Sequence, residues 1–310
     1  MTKKSTTNIK ENVKKTEEKY YPTNDYLFKR IFGYKGNEKI TEGLIEAILE
    51  RKCEILEMKS DEVTEKDLRS DKVGVLDVFV VEKDGTQTNI EMQVAEYEYI
   101  IDRILFYWAK KYIESIHGGN DYKKLKPTKV ILITDFELDR LTPLEAIMNS
   151  FKIIDTKTGK LVLTENLELV IIELPKMKRY KLQNKNTESW LKFIKNPYSL
   201  GAKEMDNSEA LKKAKEEYDK IMADEHEKMM IRLREKYWLD YNSMKSASYD
   251  KGKKDGLEQR NWATELSNGI SKAIKETAKK LLKEKVDLDT ISKVTGLTKE
   301  EIENLNNKDL

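Results

Sequence analysis

"VGVLDVFVVEKDGTQTNIEMQVAEY", residues 73–97, is the stretch that decides the fold. Two runs rich in β-branched and aromatic residues flank the turn-forming pair Asp84-Gly85, and this pattern predicts a β-hairpin. Each run carries one carboxylate, Asp77 in the first and Glu91 in the second, although acidic residues are uncommon inside strands. The hairpin therefore has two charges at positions that are usually apolar.

The length of the loop decides whether the two carboxylates share a face. Side chains alternate between faces along a strand, and opposed residues of a hairpin share a face. A two-residue loop throws Glu91 to the face opposite Asp77. An odd-length loop with Gly85 in the left-handed conformation instead opposes Asp77 to Glu91 or to Gln93, within about 5–8 Å of one another. Both loops are compatible with the sequence.

Two carboxylates at that distance repel each other unless one is protonated or a cation lies between them. An all-oxygen site suits Mg²⁺ or Mn²⁺, which use few protein ligands. Such a cation polarises a phosphodiester and activates a bound water. The alternative is that Asp77 and Glu91 face solvent on a half-exposed sheet.

Periodicity along the rest of the chain indicates helices around this hairpin. Helical spacing of apolar residues is followed by the two strands, a long amphipathic helix and further strand-like runs. The order α, α, β, β, α, β, β, β predicts an α/β fold with a mixed sheet flanked by helices. The other segments are helices at 23–33, 37–51, 99–117 and 187–195, a strand at 129–136 and two runs within 161–176.

Composition divides the chain into three regions. Charged residues make up 37% of the chain, with a net charge of only +2, so much of the surface is expected to be solvated helix. We predict a disordered lead at 1–20, a core at 21–200 and a charged helical tail at 201–310. The tail ends in a hairpin with helix-turn-helix character around Gly296. Packing, oligomerisation and DNA contact are all open roles for it.

Several classes of protein are not expected. Cys53 is the only cysteine and the chain has two histidines, so neither an internal disulfide nor a Cys/His zinc site is expected. No run approaches the roughly 18 apolar residues of a membrane span. We therefore expect no membrane partner and a cytoplasmic location.

Five short motifs together resemble the PD-(D/E)XK nuclease family transposases, also called recombination-promoting nucleases. The resemblance extends from about residue 21 to 195 and depends on the order and spacing of the motifs. It implies a restriction-endonuclease-like core, a divalent metal, Mg²⁺ or Mn²⁺, and cleavage of DNA in recombination or transposition. The motifs are NDYLFKRIFG (24–33), LDVFV (76–80), NIEMQ (89–93), RILFYWAKKY (103–112) and ITDF (133–136).

The resemblance also implies roles for individual residues. Asp77 stands at the first metal ligand and Glu91 at the acidic member of the E-x-K element, while Gln93 stands where the family pattern has lysine. Glutamine can form hydrogen bonds but carries no charge. Arg103 is the candidate that replaces the positive charge of this lysine. If its helix packs beside the hairpin, its guanidinium would bind a phosphate through two hydrogen bonds. A catalytically degenerate DNA-binding or scaffold protein is the alternative.

Further candidates come from neighbouring helices. Tyr107 lies four residues after the arginine, and Lys110 or Lys111 continues the row, so this face is a candidate for DNA binding. Lys29 of the first motif is a candidate phosphate contact. Glu46 of the second helix is a candidate further metal ligand, the alternative being a solvated helix face. A homodimer is expected if both DNA strands are cut, because each chain has one site.

Overall fold

The computed structural model describes residues 18–59, 78–96, 99–116, 121–206 and 208–306. The chain divides into two compact units, Met1–Trp238 and Leu239–Leu310. No helix within the described ranges combines the length and the apolar character that crossing a membrane requires.

The described residues of the first unit form a six-stranded mixed sheet with the order β1-β2-β3-β4-β6-β5. The strands β3, β4 and β6 are parallel, and the other pairs are antiparallel. The prediction of a mixed sheet flanked by helices is confirmed. The strands are β1 (Ile55–Lys59), β2 (Val78–Glu82), β3 (Gln87–Gln93), β4 (Thr128–Thr134), β5 (Met148–Phe151) and β6 (Leu167–Glu173).

Helices flank this sheet and continue beyond it. α1 begins after Asn24, whose side chain accepts a hydrogen bond from the backbone N–H of Leu27, as expected of an N-cap. The helices are α1 (Asp25–Phe32), α2 (Glu38–Leu49), α3 (Ile100–Glu114), α4 (Lys185–Lys195), α5 (Ala202–Asp206), α6 (Glu209–Ala223), α7 (Glu225–Lys283), α8 (Leu288–Thr295) and α9 (Lys299–Asn306).

Both faces of the sheet are covered. On one face, α1, α2, α4 and α6 pack over alternating strand residues such as Val80 and Ile90. On the other face, Ile104 of α3 packs with Leu132 and Ile171. The long central strands are buried on both sides, as parallel strands in α/β folds generally are. This arrangement places α3 on the face of β3 that carries Glu91.

The core of the first unit includes residues beyond position 200. Leu211, Ala214, Tyr218 and Ile221 of α6 recur at helical spacing and are buried against the core. Because charged residues outnumber this narrow apolar stripe, the composition of the segment predicts a solvated helix rather than a part of the core.

A buried ion pair joins α7 to α1 within the first unit. The Arg234 guanidinium donates to both carboxylate oxygens of Asp25, with Nε–Oδ1 at 3.0 Å and Nη2–Oδ2 at 2.7 Å. The two side chains are 1% and 7% exposed. The two residues are 209 positions apart in sequence.

Two strands differ from the sequence expectation. β1 and β5 lie at the two edges of the sheet and are not predicted, because their side chains are largely exposed or half-buried and give no apolar run. Within 161–176, the second predicted run is β6. The first forms only an isolated bridge, Ile154 with Val162, so its prediction as a full strand is wrong.

The second unit contains a small cluster of its own. Ala278, Ile291 and Ile302 are buried together. Gly296 ends α8 in the left-handed conformation, at φ 72°. Thr298 and Glu301 form a capping box: the Thr298 N–H donates to the Glu301 carboxylate at 2.8 Å, and the Glu301 N–H donates to Thr298 Oγ1 at 3.2 Å.

Candidate functional site

The hairpin between β2 and β3 has an odd-length loop. Phe79 pairs with Asn89 and Val81 with Gln87. The Glu82 N–H donates to the Thr86 carbonyl, so these two residues are the last opposed pair and the loop consists of residues 83–85. Gly85 has a φ of 88°, the left-handed conformation that favours glycine. Of the two alternatives that the sequence leaves open, the structure has the odd-length loop, and Glu91 shares the face of Phe79 and Val81.

This face of β3 is a row of buried polar side chains. Gln87, Asn89, Glu91 and Gln93 alternate along the strand and are all less than 9% exposed. The Asn89 amide donates to Glu91 Oε1 at 3.0 Å. Burying polar groups is unfavourable unless hydrogen bonds or charges compensate them. A strand that buries four polar side chains on one face is therefore better suited to binding a ligand than to packing in an apolar core.

The Glu91 carboxylate is the centre of the row. It is fully buried, and its Oε2 atom has no hydrogen-bond partner among the described residues. Burial raises the pKa of Glu91, while the charge of Arg103 and the amides of Asn89 and Gln93 act in the opposite direction. The carboxylate thus lies in an environment that favours an added proton or cation.

Helix α3 runs back along the hairpin. Arg103 lies at the Glu91 end, where its charge acts on the carboxylate. The Lys111 ammonium lies 4.9 Å from the centre of the Phe79 ring, nearer the hairpin loop. Arg103, Tyr107 and Lys111 are half-buried at four-residue spacing, so they line one side of the helix. Lys110, by contrast, is exposed.

The remaining candidate residues lie elsewhere. Asp77 lies outside the described residues. Lys29 is only 5% exposed in α1. The Glu46 carboxylate accepts a hydrogen bond from the Cys53 N–H at 3.1 Å and pairs with Lys52 at 3.4 Å, so it holds the chain that follows α2. Within the described ranges, no three acidic, histidine or cysteine residues are grouped to hold a metal ion.

The sequence reasoning did not identify Asn89 as the partner of Glu91. Its position two residues before Glu91, on the same face, was the available signal. It also missed Lys59 and Lys126, which the fold brings beside Lys111. Nothing in their spacing along the chain indicates this proximity.

The mixed sheet and its flanking helices are consistent with the PD-(D/E)XK nuclease fold. The family model described as PD-(D/E)XK nuclease family transposase matches residues 22–248, about three quarters of the chain, and the chain belongs to this family. The family membership that the five motifs indicate is confirmed. PD-(D/E)XK nucleases generally use divalent metal ions.

The C-terminal region matches a second family model. Residues 266–307 match the description Rpn/YhgA-like nuclease family, C-terminal HTH domain. This range includes α8, α9 and Gly296 between them, which supports the predicted helix-turn-helix character. Comparisons with curated proteins and with solved structures found no match.

Proposed function

We propose that the chain is a metal-dependent DNA endonuclease that hydrolyses phosphodiester bonds. The observation that carries this proposal is the buried Glu91 carboxylate, whose Oε2 has no hydrogen-bond partner among the described residues. A buried charge is unfavourable unless a cation or a proton compensates it. Membership of a nuclease-family transposase group supports DNA as the substrate and recombination or transposition as the setting.

Asp77 and Glu91 are the proposed ligands of a divalent cation, Mg²⁺ or Mn²⁺. Val78 pairs with Ile90 across an odd-length loop, and for an odd-length loop the sequence predicts that Asp77 opposes Glu91 or Gln93. Carboxylate oxygens are the donors that these cations prefer. When bound, such a cation polarises a phosphodiester and lowers the pKa of a coordinated water.

Gln93 and Arg103 are proposed to position the reacting groups. The Gln93 amide can donate and accept hydrogen bonds, which suits it to orient a water molecule. The Arg103 guanidinium keeps its charge and has a planar fork of donors that matches a phosphate. It would therefore stabilise the negative charge that develops during attack. Tyr107 and Lys110 are proposed to contact the DNA backbone further along α3.

Two other candidates are less well supported by the structure. Lys29 was predicted to contact DNA, but its side chain is mostly buried. Glu46 was predicted as a further ligand, but both of its carboxylate oxygens have protein partners. The proposal therefore depends on Asp77 and Glu91.

A catalytically degenerate nuclease-fold protein that binds DNA is the second candidate. The specific observation in its favour is Gln93, which leaves the E-x-K element without its lysine. The match of residues 266–307 to a helix-turn-helix domain supports DNA binding under either candidate. If the protein cuts both strands, one site per chain requires two chains, and a homodimer is expected.

Plasmid nicking by the full chain tests the proposal. With Mn²⁺ or Mg²⁺ present, we expect Asp77→Asn and Glu91→Gln to lower the cleavage rate at least about 100-fold, since loss of outer-sphere partners alone typically costs 10–100-fold. Glu57→Gln is the matched control, because Glu57 is a strand glutamate with an exposed side chain. Calorimetry should detect Mn²⁺ binding to the unmodified chain and not to Glu91→Gln.

The outcomes separate the candidates. Unreduced cleavage by either variant would remove that carboxylate from the proposed site. If the unmodified chain binds DNA but neither binds a divalent cation nor cleaves, the degenerate DNA-binding protein is the better description.

A further inference from the structure

A basic cleft lies beside the hairpin, on the face of the sheet that carries Glu91. It has a volume of 270 Å³ and is open to solvent. Its walls come from the end of β1, from α3 and from the segment before β4. The residues on which its chemistry depends are Lys59, Phe79, Gln87, Lys111, Glu114 and Lys126.

The cleft has an excess of positive charge. Three lysines and one glutamate line it, which leaves a net charge of about two. Lys111 pairs with Glu114 at 3.0 Å, and both side chains are more than a third exposed. Among the described residues, neither Lys59 nor Lys126 forms an ion pair with a carboxylate, although the charge of Lys59 also acts on Glu114. The described lining therefore favours an anionic ligand.

The floor of the cleft holds the lysines close together. The Lys59 and Lys111 ammonium groups lie 5.5 and 4.9 Å from the centre of the Phe79 ring. The stem of Lys126 crosses the hairpin turn at Gly85, where a Cβ atom would come within 2.9 Å of it. An aromatic ring and a bare glycine thus bring charges from three segments to one place.

The cleft lies on the same face of the sheet as the proposed active site. Phe79 pairs with Asn89, and the Asn89 amide donates to Glu91. Gln87, which lines the cleft, is four residues before Glu91, or about 13 Å along the strand. At 3.4 Å of axial rise per nucleotide, this separation corresponds to about four nucleotides of one DNA strand.

We propose that this cleft binds backbone phosphates of the DNA strand that flanks the scissile bond. The inference rests on the proposed function, since it places the cleft on the path of the same substrate. Lysine binds phosphate as a point charge and reads no bases, so the contact positions DNA without selecting sequence. In this proposal, Arg103 acts on the reacting phosphate and the cleft lysines hold the flanking strand.

The first measurement is the salt dependence of DNA binding. In the full-length Glu91→Gln background with EDTA, fluorescence anisotropy gives the affinity for a labelled duplex at several salt concentrations. Replacing the cleft lysines together (Lys59→Gln, Lys111→Gln, Lys126→Gln) should reduce the slope of log K against log salt by about 2–3, since each phosphate contact contributes about 0.9. The matched control replaces three exposed lysines of the same unit: Lys35→Gln, Lys157→Gln and Lys160→Gln.

A second variant predicts the opposite sign. Glu114→Gln removes the one carboxylate among the described residues that line the cleft and releases Lys111 from its pair. It should tighten DNA binding several-fold, a change that misfolding would not produce. An unchanged slope for the lysine variant, or weaker DNA binding by Glu114→Gln, would overturn the assignment of this cleft.

Cleavage kinetics keep this inference distinguishable from the proposed function. With Glu91 intact, the triple lysine variant should raise KM about tenfold and change kcat little, as expected when uniform binding is lost. If no protein cleaves DNA but the salt-dependence slope falls as predicted, the cleft proposal is supported and the nuclease assignment fails. If cleavage occurs and both slope and KM are unchanged, the nuclease assignment stands and the cleft proposal fails.

Discussion

The Asp25–Arg234 ion pair offers the sharpest test of how the first unit is held together. Arg234→Met keeps most of the side-chain stem and removes the guanidinium that donates to both Asp25 oxygens. Because the pair is almost fully buried, the variant leaves a carboxylate without its compensating charge. Removing one partner of a buried pair typically costs 3–5 kcal/mol.

This cost should be visible in equilibrium unfolding. For a unit of this size, 1 kcal/mol corresponds to about 2–4 °C in Tm, so the loss is about 6–20 °C. Arg232→Met is a matched control two residues away on the same helix. Its pair with Glu18 has side chains 44% and 61% exposed, and such surface pairs contribute about 0–1 kcal/mol.

A double variant separates the loss of an interaction from the burial of a bare charge. Asp25→Asn in the Arg234→Met background neutralises the uncompensated carboxylate and should recover a large part of the lost stability. Urea denaturation of the four proteins gives the required free energies of unfolding. The reasoning is refuted if Arg234→Met costs less than about 1 kcal/mol, or if Arg232→Met costs more than Arg234→Met.

Two further predictions concern the sheet. Gly85→Ala should destabilise the first unit by about 1–2 kcal/mol, because its φ is 88° and the added Cβ would crowd Lys126; an unfolding free energy within 0.3 kcal/mol of the parent would contradict this. Burial alone would raise the pKa of Glu168, but hydrogen bonds from Lys129 and Ser150 hold it below the ordinary value. The stabilisation from Glu168 is therefore present above the unfolded-state pKa and is lost as pH falls through the folded-state pKa. Glu168→Gln should cost about 1–2 kcal/mol at pH 7 and progressively less as pH falls through the folded-state pKa, which denaturation at a series of pH values would measure; a cost independent of pH would contradict it.

The central hairpin could be predicted because its signals are local. Strand-like runs on both sides of Asp84-Gly85 predict the pairing without knowledge of the rest of the chain. The loop parity could not be settled in this way, because two-residue and three-residue loops both fit Asp-Gly. The left-handed Gly85 in the three-residue loop is what puts Glu91 on the face covered by α3.

Features that join distant segments could not be predicted from the sequence. Asp25 and Arg234 are separated by 209 positions, and no pattern at either position indicates the other. The lysines of the cleft come from three segments that are adjacent only after the sheet forms. The edge strands β1 and β5 lack an apolar run because edge strands are only partly covered.

The Glu91 oxygen without a hydrogen-bond partner among the described residues and the position of the missing E-x-K lysine lie on the same face of β3. A lysine at position 93 would lie two residues from Glu91 on that face and would add a positive charge there. Gln93 supplies an amide at this place and no charge. In this proposal, positive charge comes instead from Arg103 on α3, whose charge also acts on the Glu91 carboxylate and whose planar donors suit a phosphate. The proposal therefore assigns the metal to a carboxylate of β3 and the DNA phosphate to an arginine of α3.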